Sequence, residues 1–187
     1  MTRAAQGDKY FIMSAYTIIN VPDPVLKEVA APVGQVNDII RAQMDDMLET
    51  MYDAPGIGLA ANQVNVLNRV IVMDVDFREE DAAKNPICMA NPEIIWKSDD
   101  VSVMEEGCLS IPGQFAEVRR PKSVRVKYLD YDGKEAEIEG SDLLSHCLQH
   151  EIDHLNGVLF VDYLSKLKRD MMIRRVKKMT RDGGALL

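Results

Sequence analysis

The sequence contains three histidines, and all three fall on one stretch: His146, His150 and His154. Four residues apart on a helix, His150 and His154 project from one face, within reach of a single metal ion. Glu151 completes His-Glu-x-x-His. In that arrangement the glutamate points toward the open side of the metal and acts as a general base on bound water. The plain alternative is a buried helix whose histidines only hydrogen-bond to backbone. It suits a lone histidine better than two at ligand spacing in an apolar setting. A buried glutamate with neither metal nor base beside it carries a heavy desolvation cost.

A catalytic metal keeps one position open and so wants three protein ligands. His146 is a poor third. From helix geometry it lies roughly 80° around the axis from His154 and over about ten ångströms along it. Cysteines or carboxylates from another element are better candidates. Cys108 sits in Glu105-Glu106-Gly107-Cys108-Leu109-Ser110, at a strand end beside a glycine. A thiolate there can reach toward the helix, and a metal would stabilise its deprotonated form. Cys147, three residues before His150, faces a similar way and reads as a wall residue. Cys88 lies in an apolar run and reads as core.

The third feature is Gly56-Ile57-Gly58-Leu59-Ala60-Ala61-Asn62-Gln63. As a phosphate loop it fails, because the third glycine is missing and no Gly-Lys-Ser/Thr follows. Its bare backbone suits an edge on which a peptide docks. Gln63 then offers an uncharged amide N–H to a developing oxyanion. A simple turn is the plainer reading of the same residues.

The elements that must hold these groups can be read from the pattern. Asn37 caps a helix reaching about Ala54, with Ile40, Met44, Met47, Leu48 and Met51 at spacings of three and four, and Pro55-Gly56 breaks it. Arg69 to Val75 is a β-branched run that predicts a buried strand. Ile87 to Ile95 and Val101 to Met104 predict further strands, and Arg78 to Asn85 a surface loop. Ser123 to Gly140 predicts a hairpin around a two-residue Asp132-Gly133 turn of type I′. Ser141 or Asp142 caps the histidine helix, which ends at Gly157 and is apolar on more than one face, hence buried and wrapped by strands. A last helix spans about Asp162 to Thr180. The predicted fold is α+β: short, mostly antiparallel strands around the histidine helix, with another helix at each side.

The chain has 187 residues, enough for one domain that needs no disulfide staples. Residues 1–12 read as a flexible polar leader before Met13, and 13–187 as one catalytic domain. Net charge is −8, unfavourable for general DNA binding. Charge is uneven, however. Residues 165–181 hold eight bases against the single acid Asp170, a local +7, leaving −15 on the rest. No apolar run is long enough for a transmembrane helix, and no secretory signal is visible. An odd number of cysteines suits a reducing cytosol, so a cytoplasmic location is expected.

Taken together, the motifs resemble the peptide deformylase family. Gly56–Gln63 matches G-x-G-L-A-A-x-Q, Glu106–Ser110 matches E-G-C-L-S, and Gln149–His154 matches Q-H-E-x-D-H, in family order. The Pro-Asp-Pro-Val-Leu start and the Ser-Ile-Pro-Gly around Ile111 also fit. The resemblance covers about Tyr16 to Tyr163.

The resemblance implies that Cys108, His150 and His154 bind one divalent metal, Fe2+ in the bacterial enzymes, with Zn2+ or Ni2+ able to replace it. It implies that Glu151 takes and returns the proton while Gln63 and the backbone N–H of Leu109 meet the oxyanion. The substrate would be a nascent formyl-Met polypeptide, its backbone pairing near Gly58 and Gly107. Its methionine would enter a pocket near Ile57, Leu143, His146 and Cys147. His146 departs from the family, whose wall is apolar there. It would alter side-chain preference or add a pH-dependent group, or else point to solvent at the pocket mouth. The basic segment 165–187 would be a ribosome contact. Its plainer reading is a solvated helix packed through Leu164, Leu167 and Met171. The rival functions are a zincin-type metallopeptidase and a non-catalytic, metal-stabilised ribosome-associated module. The first would cleave internal bonds. The second would be indifferent to the loss of Glu151.

Overall fold

The computed structural model describes residues 16–76 and 83–181. The leader and most of the expected loop around Arg78 lie outside the described residues.

Helix α1 spans Asp38–Asp53, with the Asn37 side chain accepting from the Ile40 N–H at 3.1 Å. Strands β1 (Gly58–Ala60), β2 (Val70–Met73) and β3 (Ile87–Lys97) follow. Next come β4 (Val101–Gly107), β5 (Phe115–Pro121), β6 (Ser123–Leu129) and β7 (Glu135–Ser141). Helix α2 covers Asp142–Leu155 and α3 covers Lys166–Arg181. One sheet runs β1-β2-β3-β6-β7, and a second pairs β4 with β5. Every ladder between the described strands is antiparallel, and an isolated bridge between Ala31 and Asn68 is parallel, in keeping with the mostly antiparallel pairing expected.

β2 shows why its sequence is apolar without a break. Ile71 and Met73 face α2 in a cluster with Leu148, Ile152 and Leu155. Val70 and Val72 face α1, against Met44, Met47 and Met51. All four strand residues have no exposed surface. A strand buried on both faces loses the polar alternation that marks a half-exposed one. Among the described residues β1 sits at the end of the five-stranded sheet with only β2 as a strand neighbour, so the glycine segment is the edge its composition suggested.

Several expectations need correction. The hairpin turn is wider than two residues. The Asp130 carboxylate accepts from the N–H groups of Asp132 and Lys134, at 2.9 and 2.8 Å. Of the turn residues only Gly133 takes a positive φ, +80°. One left-handed residue after a tight turn makes the longer hairpin loop, whereas type I′ needs two. Strand β5 gives a weak strand signal because its inward positions are Ala116, Val118 and Arg120, and an arginine disguises the alternation. Ser141 occupies the N-cap of α2 but makes no capping bond. Its hydroxyl pairs with Ser123 at 2.9 Å instead.

The last helix starts at Lys166, and Asp162 belongs to a separate 3-10 turn, Phe160–Tyr163. Nor does α3 pack as anticipated. Leu167 is 82% exposed and Met171 41%, whereas Met172 and Val176 are buried, four residues apart. Leu164 is partly buried in the same cluster. The apolar stripe of α3 therefore runs through Met172 and Val176, with Met172 one residue on from Met171 and about 100° around the axis.

Candidate active site

Helix α2 runs through the fold with Ser145 to Ile152 almost wholly buried. His150 and His154 leave one face of it, with ring centroids 5.0 Å apart. Cys108 follows directly on β4, and its Sγ lies 3.2 Å from His154 Nε2. One donor atom from each of Cys108, His150 and His154 lies within 4.8 Å of the other two. Two ligands at ordinary Zn–S and Zn–N lengths on a tetrahedral ion are separated by roughly 3.6 Å. The donor set therefore fits one ion of intermediate softness.

The electrostatics point the same way. Burial alone would push the His150 imidazole down, but Cys108 and Glu106 beside it outweigh that and raise it well above the ordinary range. The centre of the cluster favours positive charge, a demand a metal cation meets. Burial, together with the charge of His150, drives His154 well below its ordinary range, toward the neutral form that ligates.

Glu151 is 4% exposed, and its Oε2 has no hydrogen-bond partner among the described residues. Burial pushes its carboxyl up to about 7. Its other oxygen lies over β1. A Cβ built on Gly58 would come within 2.3 Å of Glu151 Oε1 and 3.0 Å of Cys147 Sγ. Only glycine leaves room for the carboxylate there.

The Gln63 side chain is held at both ends. Its Oε1 accepts from the Ala60 N–H at 2.8 Å, and its Nε2 donates to Ser110 Oγ at 3.1 Å. That Nε2 also lies 3.5 Å from Cys108 Sγ. The Asn62 side chain donates to the His154 carbonyl, tying this segment to α2.

The remaining residues vary in how they meet the cluster. Cys147 is buried, with Sγ 3.6 Å from the Ile57 carbonyl. Leu143, at the first turn of α2, is 43% exposed. Leu109 is partly buried against the α1 cluster. Gly107 ends β4 opposite Phe115, whose ring lies over it. His146 does not point to solvent. It is 3% exposed, with Nδ1 3.0 Å from Glu106 Oε1 and Nε2 2.9 Å from Ser102 Oγ. A groove of about 440 Å³ lined by Asp45, Leu48, Cys88 and Tyr128 shares no residue with the cluster.

Sequence reasoning missed the buried charges behind the site. Arg120 grips Glu106 through Nε at 2.6 Å and Nη2 at 3.0 Å, and reaches Asp153 through Nη1 at 2.7 Å. Glu106 in turn accepts from His150 Nδ1 at 3.0 Å. Burial would raise the Glu106 pKa, but the hydrogen bonds from His150 and Arg120 and their charge hold it well below the usual carboxylate range. Glu106 and Asp153 stand inside the recognised motifs. Arg120 carries no such signal.

The polypeptide deformylase family model matches residues 15–170. A peptide deformylase of Bartonella tribocorum is 54% identical over 170 residues, covering 91% of this chain and 96% of the relative. One from Methylocella silvestris is 60% identical over 162 residues, covering 86% and 83%. The crystal structure of peptide deformylase from Ehrlichia chaffeensis superposes with a TM-score of 0.86 at 44% identity, covering 90% of this chain and 98% of that one. With this much identity over nearly its whole length, the chain belongs to the peptide deformylase family.

Proposed function

We propose that the chain is a metal-dependent amide hydrolase that removes the N-formyl group from the formylmethionine of nascent polypeptides, releasing formate. The observation that carries this reading is the meeting of Cys108, His150 and His154 donors within 4.8 Å, beside a buried carboxylate oxygen that has no hydrogen-bond partner among the described residues. Cys108, His150 and His154 would hold one divalent ion, Fe2+ by the family's habit, with Zn2+ or Ni2+ as replacements. When bound, such an ion polarises the formyl carbonyl and acidifies water.

The protein's own groups supply the rest. Glu151 takes a proton from the attacking water and returns it to the departing amine. A carboxyl raised by burial to about 7 is matched to both tasks near neutral pH. Gln63 Nε2, fixed by its bonds to Ala60 and Ser110, donates to the oxygen that gains charge, as does the Leu109 backbone N–H. The peptide lies along the free edge of β1 at Gly58 and beside Gly107. Its methionine side chain sits among Ile57, Leu143 and Cys147. Both ring nitrogens of His146 are engaged, so His146 offers that pocket only a carbon edge.

Met172 and Val176 are buried, whereas the α3 cations Arg174, Arg175, Lys177 and Lys178 are exposed. They suit ribosomal RNA phosphates, as expected of a cytoplasmic enzyme acting on chains still being made. Described helices include none long and apolar enough to cross a membrane. Ribosome co-sedimentation should fall when these four are changed to glutamate, and unchanged recovery removes this partner.

Formate release from a formyl-Met peptide tests the chemistry. Glu151→Gln should lower it on the order of 10²- to 10⁴-fold with metal content intact. Full activity in that variant would sink the assignment of Glu151. Cleavage of internal peptide bonds would favour a zincin-type peptidase instead.

A further inference from the structure

His146 is the one histidine the proposed chemistry leaves unused, yet it is buried with both ring nitrogens engaged. We propose that His146 is a positioning residue. Through Glu106, it sets the orientation in which His150 meets the metal. The inference rests on the metal-site reading above.

The Glu106 carboxylate receives four donors. Arg120 Nε and His146 Nδ1 share Oε1, at 2.6 and 3.0 Å. Arg120 Nη2 and His150 Nδ1 share Oε2, both at 3.0 Å. An ionised carboxylate only accepts, so both imidazoles carry their proton on Nδ1. For His150 this leaves the Nε2 lone pair to a metal, the usual division of labour for a ligating histidine. For His146 it leaves Nε2 to accept from the Ser102 hydroxyl at 2.9 Å.

The two bonds of His146 end on β4, at Ser102 and Glu106, while its backbone belongs to α2. β4 also leads directly into Cys108. His146 thus pins the strand that delivers the thiolate to the helix that delivers both imidazoles. The Arg120 fork sets the plane of the Glu106 carboxylate. His146 then opposes His150 across its two oxygens, so the carboxylate cannot turn toward one imidazole without leaving the other. Partners of this kind typically change metal affinity 10- to 100-fold when removed.

The test uses Co2+ as probe on the full chain, with affinity read by competition with a chelator and geometry by the visible spectrum of the loaded protein. His146→Leu should bind Co2+ about 10- to 100-fold more weakly and shift the visible bands. His146→Asn, whose amide nitrogen replaces Nδ1 as donor to Glu106, should stay within about threefold of the parent. Parent-like affinity and spectrum in His146→Leu would overturn the proposal. So would equal weakening in both variants, because the bulk of the ring rather than its Nδ1 donor would then matter. If His146→Leu does not fold, His146→Gln carries the test. Its amide reaches toward Ser102 but leaves no donor at the Nδ1 position, so it should weaken binding about 10- to 100-fold, and unchanged affinity overturns the inference. A parent that fails to bind Co2+ overturns the metal-site reading itself, and this inference with it.

Discussion

Substituting Gly58 by alanine probes whether Glu151 stands where the chemistry needs it. The new Cβ would lie 2.3 Å from Glu151 Oε1, 2.9 Å from its Cδ and 3.0 Å from Cys147 Sγ. Carbon–oxygen contacts settle near 3.3 Å or more, so the carboxylate oxygen must retreat by about 1 Å. The strand cannot recede instead. Leu59 and Ala60 have no exposed surface and pair in register with Val72 and Ile71. Misplacing a catalytic group by about 1 Å costs on the order of 10²-fold, or about 2.7 kcal/mol of barrier. Overpacking should cost a further ~1–3 kcal/mol of stability. Formate release should be followed as kcat/KM beside a urea unfolding curve. Ile71→Val is the control: on β2 behind the same strand, it should lose about 0.5–1.5 kcal/mol of stability with kcat/KM unchanged. A folded Gly58→Ala protein within threefold of parental kcat/KM would refute the placement of Glu151 at the reacting atoms.

Three further outcomes follow from the buried network and the last helix. Arg120→Met strands Glu106 and Asp153 without their cation and should cost about 3–5 kcal/mol in urea unfolding. A loss under 1 kcal/mol would show that the pair contributes little. Glu106→Gln tests the sign of the pH dependence. The folded pKa of Glu106 is depressed, so its contribution is complete above the unfolded carboxylate value near about 4.3 and is lost as pH falls toward the folded value. The stability gap between parent and variant should be full at neutral pH and begin to close below about pH 4; a gap that widens there would contradict this. Met172→Ala should cost about 2–5 kcal/mol, whereas Leu167→Ala should change stability by less than about 0.5 kcal/mol. Equal losses would mean that α3 packs through the other stripe.

The chemistry was legible because a metal site needs particular atoms at particular spacing. Helical periodicity places His150 and His154 on one face in any fold, and Glu151 cannot be separated from them. The core of α2 and the double burial of β2 were likewise written in local apolar pattern. Sequence also supplied Cys108 as a candidate third ligand but could not deliver it to the helix, since that depends on where β4 ends relative to α2. Only tertiary structure decided which side chains stand behind the candidate ligands. Arg120 reaches Glu106 and Asp153 across 14 and 33 residues of chain, and no local pattern encodes such a meeting. His146 shows the same limit from the other side. Its position on the helix was fixed by spacing, but whether it faced solvent, substrate or strand depended on Ser102 and Glu106, 44 and 40 residues away. Periodicity places side chains around their own axis, and what meets them there is settled only when separate elements pack together.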